Sequence, residues 1–392
     1  TAELAALRED LAPAWLAPPL PVEQTAQRYL RPALRGVFVD MVRGSAMDYL
    51  DRFGFCSPTV VAMYAVTDGS PGLTGSPWSP GSGHNLLVHN MCRQPGADGT
   101  WMVVRGGMGT VTAALARAAV GAGARIRTGT EVARVLVDAG TTTGVSTVEG
   151  EEVRAGAVLV ATDPFRLTGL AGEHLPADLT GRLAEWELRS PGQTMKLNLA
   201  LSGLPRFAAL AEDRGQYGTT VHLLPPVAEP DLLPALRAAF DDAAAGRLPA
   251  TPPIEWYLHS TLDPSLQDSD GNHSSALFVQ GVPHDVTGSS WDVELPGYVE
   301  RLLDVLEIYA PGTRGLVLDT QALAPPDLKT YFGISSGNIH HVNNTFAFTE
   351  RMPYATGLPG LYAGAAGCHP AGSVIGCAGH NAARLMLSDL GR

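Results

Sequence analysis

The sequence predicts an α/β fold of mixed α+β content in which two domains interleave. Three stretches support this prediction. Residues 361–365 are apolar and bounded by glycine, as in a short buried strand, and they lead through further glycines into a helical pattern. Residues 101–163 alternate strand and helix patterns, and residues 195–281 contain strands in which apolar and polar positions alternate. Because the alternating strands separate the other two stretches, we expect one domain to be inserted into the other.

Composition excludes several classes of protein. The chain has 392 residues, of which 45% are hydrophobic and 17% charged, as in a soluble globular protein with a sizeable core. The formal net charge is −12, so we expect no nucleic-acid partner. No apolar run approaches the ~20 residues that a membrane-spanning helix needs. The first residues show no signal-peptide pattern, and we therefore predict a cytoplasmic protein.

The four cysteines show no metal-binding spacing, so we predict free thiols and no metal site. Cys368 and Cys377 lie nine residues apart on either side of a glycine-rich turn, a spacing that matches no dithiol motif.

The first hundred residues are predicted to be mainly helical. Helices are expected over residues 2–16 and 22–34, with prolines between them, and a third over residues 45–53. Residues 66–99 are rich in glycine, proline and serine and predict a long loop. His84 and His89 lie in that loop, where we expect them to form hydrogen bonds and not to bind a metal.

Residues 101–127 have the order strand, GxG, helix and strand, which invites comparison with a dinucleotide-binding site. Thr112 replaces the third glycine of that fingerprint, and no acidic residue ends the second strand. These departures argue against a pyrophosphate loop here. A strand that begins within 128–135 is expected to pair with one over 145–148 across a turn over 138–144, and a buried strand over 157–161 follows.

The middle of the chain predicts a second sheet. Strands are expected over residues 195–201, 219–224, 255–260 and 276–281, with helices over 229–245 and 291–309. Alternation places Lys196 and Asn198 on one face of the first of these strands.

The glycine-rich turn after residue 361 allows two interpretations. Gly364, Gly367, Gly372 and Gly376 surround Pro370 and precede a helix. A strand, a glycine turn and a helix N-terminus together present backbone N–H groups and a positive dipole end, which suit a phosphate or an electron-rich ring edge. The alternative is a tight connection in which glycine serves packing alone.

These segments resemble the phytoene desaturase and amine oxidase superfamily, and within it the pyridine nucleotide-disulphide oxidoreductase domain-containing protein 2 group. The stretch 360–383 resembles the flavin-contacting segment of that family, with Gly372 kept and with Ala371 and Ser373 in place of glycines. The residues Gly106-Gly107-Met108-Gly109, the stretch 258–280 and the Gly-Asn-Ile-His run at 337–340 match it too.

The resemblance implies an FAD-linked oxidoreductase acting on an apolar substrate, such as an isoprenoid or a polyketide. It implies an FAD domain from residues 100–175 and 330–392 and a substrate domain from residues 1–99 and 176–329. His340 and His341 are the candidate proton donors or acceptors; in a strand they would face opposite ways, so only one could face the site. The residues expected to contact the cofactor are Val132, Gly364, Gly367, Pro370, Gly372, Val374, Ile375 and Gly376.

The family opens with a strand, GxGxxG and helix unit that holds the FAD pyrophosphate, and no such unit occurs before residue 100. We therefore expect an incomplete FAD-binding domain. The missing unit would come from a partner chain or from a segment cut away, or FAD is held in another manner. A homo-oligomer and peripheral contact with a membrane are further expectations. Two alternatives remain open: a degenerate flavoprotein fold acting as a binding or partner subunit, and a flavin-independent isomerase or cyclase using His340 or His341.

Overall fold

A computed structural model describes residues 2–94, 96–98, 102–210, 220–372 and 374–392. Trp101, Thr219 and Ser373, which belong to segments interpreted above, lie outside these ranges. The helices are α1 (Ala2–Trp15), α2 (Val22–Tyr29), α3 (Pro32–Arg43), α4 (Ala46–Asp51), α5 (Pro58–Tyr64), α6 (Ser82–Asn90), α7 (Gly109–Gly121), α8 (Arg166–Ala171), α9 (Ala177–Leu188), α10 (Leu232–Ala244), α11 (His259–Leu262), α12 (Trp291–Tyr309), α13 (Pro325–Phe332) and α14 (Cys377–Asp389). The strands are β1 (Arg93–Gln94), β2 (Ala97–Asp98), β3 (Val132–Asp138), β4 (Thr141–Thr147), β5 (Glu152–Arg154), β6 (Val158–Val160), β7 (Thr194–Leu201), β8 (Val221–Leu223), β9 (Ile254–Tyr257), β10 (His273–Gln280), β11 (Val317–Leu323) and β12 (Leu361–Ala363).

The N-terminal helices pack around one apolar core. Leu7 and Leu11 of α1, Phe38 of α3 and Leu87 of α6 are fully buried in it. The single helix predicted over 22–34 is two helices, because Arg31 precedes Pro32 and has the extended backbone that proline imposes on the residue before it. Proline is then well placed at the start of α3.

The prediction of a long loop over residues 66–99 is wrong for much of that stretch. It contains a π-helical turn, Ala65–Gly69, and the buried helix α6. Gly83 explains why a helix forms in such a glycine-rich stretch: a Cβ there would lie 2.0 Å from the Met41 carbonyl oxygen of α3, so only glycine allows these helices to approach so closely. His84 and His89 are buried on α6, and the Nδ1 of His84 lies 2.7 Å from the Asn344 carbonyl oxygen.

The larger sheet is antiparallel, with strand order β11-β7-β10-β9-β8. Its alternating strands follow the predicted pattern, since Leu197, Leu199, Ile254, Trp256 and Leu277 turn to one face. There they pack against α12, whose bounds match the predicted helix.

The second group of strands surrounds the glycine-rich turn. Strands β3, β4 and β5 form an antiparallel sheet, while β6 and β12 pair in parallel, with Tyr362 opposite Leu159. The turn between β3 and β4 is tighter than predicted and consists of Ala139 and Gly140.

The predicted order around α7 is only partly present. The helix forms, but residues 102–105 and 124–127 are not strands, because neither run has a strand partner among the described residues. No residue of α7 is buried. The dinucleotide-binding interpretation therefore has no sheet to support it here.

None of the helices among the described residues combines the length and the apolarity needed to cross a bilayer.

Candidate functional site

The parallel pair β6 and β12 brings two loops to the same edge. Because the strands run in the same direction, Asp163 and Gly364 both follow their carboxyl ends, where ligands commonly bind in α/β sheets. The Gly364 N–H donates to the Val160 carbonyl oxygen at 3.0 Å. Asp163 accepts hydrogen bonds from the backbone and the hydroxyl of Ser335, both at 3.1 Å. The edge is thus built from strands β6 and β12 and the loop after α13.

The backbone of the turn between β12 and α14 departs from ordinary conformations. Ala371 has φ 149° and Val374 has φ 57°, values that side chains with a Cβ rarely adopt, and Gly376 has φ 69°. The His369–Pro370 peptide bond is cis. Non-glycine residues in such regions cost about 1–3 kcal/mol each and concentrate at ligand-binding and active sites.

Three of the four turn glycines serve packing. A Cβ at Gly364 would lie 2.8 Å from the Ala382 Cβ of α14. One at Gly367 would lie 3.0 Å from Pro164 Cδ, and one at Gly372 would lie 3.0 Å from His340 Nδ1. Gly376 differs, because no atom lies within 4 Å of the position of its Cβ. Close packing therefore explains glycine at positions 364, 367 and 372. It does not explain Gly376, which has free space beside it in the described part of the chain.

The open end of the turn is also the start of α14. Gly376 provides no capping side chain, and the first turn of the helix contains no acidic residue. Val374 is 72% exposed and Ile375 is partly buried. The first N–H groups of a helix have no partner within the helix, and among the described residues no side chain caps them. An electron-rich group would find both donors and the positive end of the helix dipole.

Arg351 holds the turn in place. It is 1% exposed, and its guanidinium donates to the carbonyl oxygens of Ala366 at 2.8 Å and Cys368 at 3.2 Å. It also donates to Phe346 O and to Asn344 Oδ1, both at 3.1 Å. Burial lowers the pKa of Arg351 to about 10, so it remains charged at neutral pH.

The turn is also tied to the N-terminal helices. Asn381 of α14 donates to the Trp15 carbonyl oxygen at 3.0 Å and to the Tyr354 hydroxyl at 2.9 Å. Tyr354 donates to the His369 carbonyl oxygen at 2.7 Å. The Nε2 of His369 lies 3.1 Å from the Ala14 carbonyl oxygen.

His340 and His341 lie in a turn, so the condition that they belong to a strand and face opposite ways is not met. The Nε2–H of His340 donates to the Pro71 carbonyl oxygen at 3.0 Å, and burial lowers the pKa of His340 to about 4. His341 has φ 63°, and its Nδ1 is buried without a hydrogen-bond partner among the described residues. Burial lowers the pKa of His341 too. The Nε2 of His340 is thus used in a hydrogen bond to the backbone, whereas the Nδ1 of His341 remains without one among the described residues.

Of the other residues predicted to contact the cofactor, Val132 lies away from the glycine-rich turn and Pro370 lies within it. Val132 begins β3, pairs with Thr147 and is 39% exposed, while Pro370 is buried within the turn. A separate cleft lies beside β3 and α8, and Arg134, Arg154, Glu152 and His174 are among its lining residues. Val132 is not among them.

One polar face was only partly anticipated from the sequence. On the sheet face opposite α12, Glu255 and Tyr257 of β9 and Lys196 of β7 are buried or partly buried. Alternation identified Lys196 on this face, but nothing in the sequence showed that Glu255 would be only 6% exposed.

No His, Cys, Asp or Glu group within the described ranges has an arrangement suited to a metal ion. The four cysteines are free thiols, and burial raises the pKa of Cys368 to about 11, which makes it a poor nucleophile.

Comparisons with known proteins confirm the predicted resemblance. Residues 48–189 match the family model of flavin containing amine oxidoreductases. The chain is 36% identical over 342 residues to pyridine nucleotide-disulfide oxidoreductase domain-containing protein 2 of Mus musculus, which covers 83% of this chain and 57% of that protein. It is 26% identical over 301 residues to hydroxyneurosporene desaturase of Cereibacter sphaeroides, which covers 75% of this chain and 55% of the desaturase. The chain thus spans little more than half the length of these relatives.

The fold is similar to that of solved structures. The crystal structure of an oxidoreductase from Methanosarcina mazei has a TM-score of 0.57 to this chain at 15% identity, with 93% of this chain and 75% of that chain covered. This likeness confirms the predicted α/β fold class.

Proposed function

The chain belongs to the flavin-containing amine oxidoreductase family, and on that premise we propose that it is an FAD-dependent oxidoreductase of the desaturase or dehydrogenase type. One observation carries the proposal: the start of α14, which no described side chain caps, lies in the strained turn at the carboxyl end of β12. The donors there suit the electron-rich edge of a flavin ring.

The residues of the turn fit such a ring. Val374, Ile375 and Gly376 are at least partly exposed, and their backbone leads into the N–H groups that begin α14. The buried Nδ1 of His341 is a polar atom still without a partner among the described residues. Flavin, when bound, supplies the two-electron chemistry. This chain holds the ring edge through backbone amides, while Arg351 and Tyr354 keep the turn in shape.

A partner is proposed for the rest of the cofactor. Helix α7 has no buried residue, and a helix of this length is marginally stable in water without packing. The parallel sheet of β6 and β12 has only two strands among the described residues, whereas sheets usually have about four to six. We propose that a dinucleotide-binding unit, on a partner chain, on a second copy or on a further segment, packs against α7 and extends the sheet of β6 and β12.

The substrate is proposed to be largely apolar, of isoprenoid or polyketide type. The similarity to hydroxyneurosporene desaturase supports this choice. Peripheral membrane contact is proposed at an exposed aromatic patch, where Phe53 is 43% and Phe55 41% exposed and the Arg52 guanidinium lies 5.8 Å from the Phe53 ring centroid.

Flavin binding tests the proposed function. Purified protein is titrated with FAD and with riboflavin, and bound flavin is measured by absorbance after gel filtration. Riboflavin lacks the pyrophosphate, so binding of both ligands identifies a site for the ring. We expect Val374→Asp to weaken binding of both flavins about tenfold, since its charge faces the electron-rich edge.

Val293→Asp is the matched control, because Val293 is 70% exposed on α12. Asp is tolerated better than Val at positive φ, so folding of the Val374 variant should be unaffected. A protein that binds neither flavin, or equal binding by both variants, would contradict the proposal.

A further inference from the structure

The five-stranded sheet has a second, polar face. Along β9, Ile254 and Trp256 pack into the core with α12, so Glu255 and Tyr257 point the other way. Glu255 is paired across the sheet with Phe278 of β10 on one side and with His222 of β8 on the other. Lys196 of β7 lies opposite Phe278 on the same face. Side chains from four strands therefore share the face of the sheet on which Glu255 lies.

Side chains hold the Glu255 carboxyl group in a fixed position. The Tyr257 hydroxyl donates to Oε2, and the Gln280 amide donates to Oε1 at 2.6 Å. Gln280 is fully buried, and it also donates to the Val66 carbonyl oxygen at 3.2 Å and accepts from the Ser70 hydroxyl. Each carboxylate oxygen thus keeps a further acceptor position.

The charges on this face are not balanced by ion pairs. Asp68, from the π-helical turn, lies near enough to contribute to raising the pKa of Glu255, although burial is the larger cause. The pKa of Glu255 is raised to about 7 and that of Asp68 to about 6. The Lys196 ammonium lies 5.6 Å from the Tyr257 ring centroid, and neither carboxyl group forms a salt bridge within the described part of the chain. Glu255 is buried and Asp68 is partly buried with a hydrogen bond to Asn90. Burying carboxyl groups without an ion pair is costly, and such groups concentrate at functional sites.

This face is connected to the glycine-rich turn. Ser70 contacts Gln280, and the next residue, Pro71, accepts the hydrogen bond from His340. His340 in turn lies against Gly372, since a Cβ there would be 3.0 Å from its Nδ1. The polar face and the proposed flavin site are therefore joined through one short segment and one side chain.

We propose that the face around Glu255 binds the polar head of an otherwise apolar substrate, and that this head is a hydrogen-bond donor, an alcohol or an amine. The inference rests on the proposed function and narrows its substrate class. A donor would use the unused acceptor positions of Glu255, whereas a carboxylate would meet two carboxyl groups and one lysine. A hydrocarbon without a head group would leave the further acceptor positions of Glu255 unused.

Binding of three amphiphiles with the same saturated tail tests the proposal. Decan-1-ol, decylamine and decanoate are titrated calorimetrically into the full chain, and the wild type is compared with Glu255→Gln, Tyr257→Phe and the control Glu187→Gln. Glu187 is exposed on α9. We expect decanol or decylamine to bind the wild type about tenfold more tightly than decanoate, and Glu255→Gln to remove this preference.

The two donor ligands are distinguished by pH. An amine should bind more weakly as the pH falls below 7 and Glu255 is protonated, with Asp68, His222, Lys196 and Tyr257 as the other titratable groups facing it. An alcohol should depend less on pH. The milder variant Tyr257→Phe should lower the affinity for the donor ligand even if Glu255→Gln folds poorly.

Two results would overturn the proposal: decanoate as the tightest ligand, which would make Lys196 the recognition group, or unchanged preference in both folded variants. Flavin binding is measured on the same proteins and should match that of the wild type. Loss of flavin binding with the ligand preference intact would count against the oxidoreductase and not against this site.

Discussion

Replacing Arg351 by methionine is expected to lower the free energy of unfolding by about 3 kcal/mol or more, because a buried acceptor left without its donor costs about 1–3 kcal/mol and Arg351 serves several. The guanidinium donates to carbonyl oxygens within the turn, those of Ala366 and Cys368, and to that of Phe346 in the preceding loop. Methionine fills similar space but leaves these buried acceptors without a donor. Flavin binding should be lost together with the shape of the turn.

Chemical denaturation measures the first effect and flavin titration the second. Arg206→Met is the control, because Arg206 is exposed, and surface changes of this kind usually fall within about 0.5 kcal/mol. If Arg351→Met unfolds at the same denaturant concentration as the wild type, the network does not hold the turn.

Replacing Gly83 by alanine is expected to lower the free energy of unfolding by about 3 kcal/mol through overpacking. The new Cβ would lie 2.0 Å from the Met41 carbonyl oxygen and 3.0 Å from its carbonyl carbon. Backbone cannot rotate away as a flexible side chain can, so α6 must move from α3. His84 and Asn85 would move with it, and with them the hydrogen bonds of the buried polar core.

Gly36→Ala provides a matched control on α3. No atom lies within 4 Å of its Cβ position and Gly36 is exposed, so the substitution should stabilise the protein by about 0.5–1 kcal/mol, as expected for glycine in a helix. Thermal or chemical unfolding measures both variants. A loss of stability in Gly83→Ala together with a gain in Gly36→Ala would support close packing of α3 and α6. A similar effect in both would show that helix propensity alone decides the outcome.

Periodicity predicted the elements whose burial follows from their own sequence. Strand β7 alternates cleanly, and the apolar positions of α12 lie at helical spacing, so both appear close to their predicted bounds. Helix α6 could not be predicted in this way, because it depends on a long-range contact between Gly83 and Met41. The strand expected at residues 124–127 would likewise need an adjacent strand to pair with, and none is present among the described residues.

The candidate site shows the same division. The strand, glycine turn and helix were predictable from local pattern, but the roles of the glycines were not, because the contacts of Gly364 with Ala382 and of Gly372 with His340 join distant residues. Arg351 and Glu255 gave no local signal either. Arginine and glutamate are usually exposed, so the sequence predicts exposure for both. Only the fold shows that Arg351 and Glu255 are buried.

The central claim is that the backbone between Gly364 and Cys377 contacts a flavin ring, and photolabelling measures that contact directly. Azido-FAD carrying its reactive group on the flavin ring is irradiated with the protein, and labelled peptides are identified by mass spectrometry, with excess FAD as competitor. If the backbone contacts the ring, peptides containing residues 364–377 should be labelled, and excess FAD should prevent the labelling. Labelling confined to the separate cleft lined by Arg134, Arg154 and His174, or labelling that FAD does not displace, would contradict the claim.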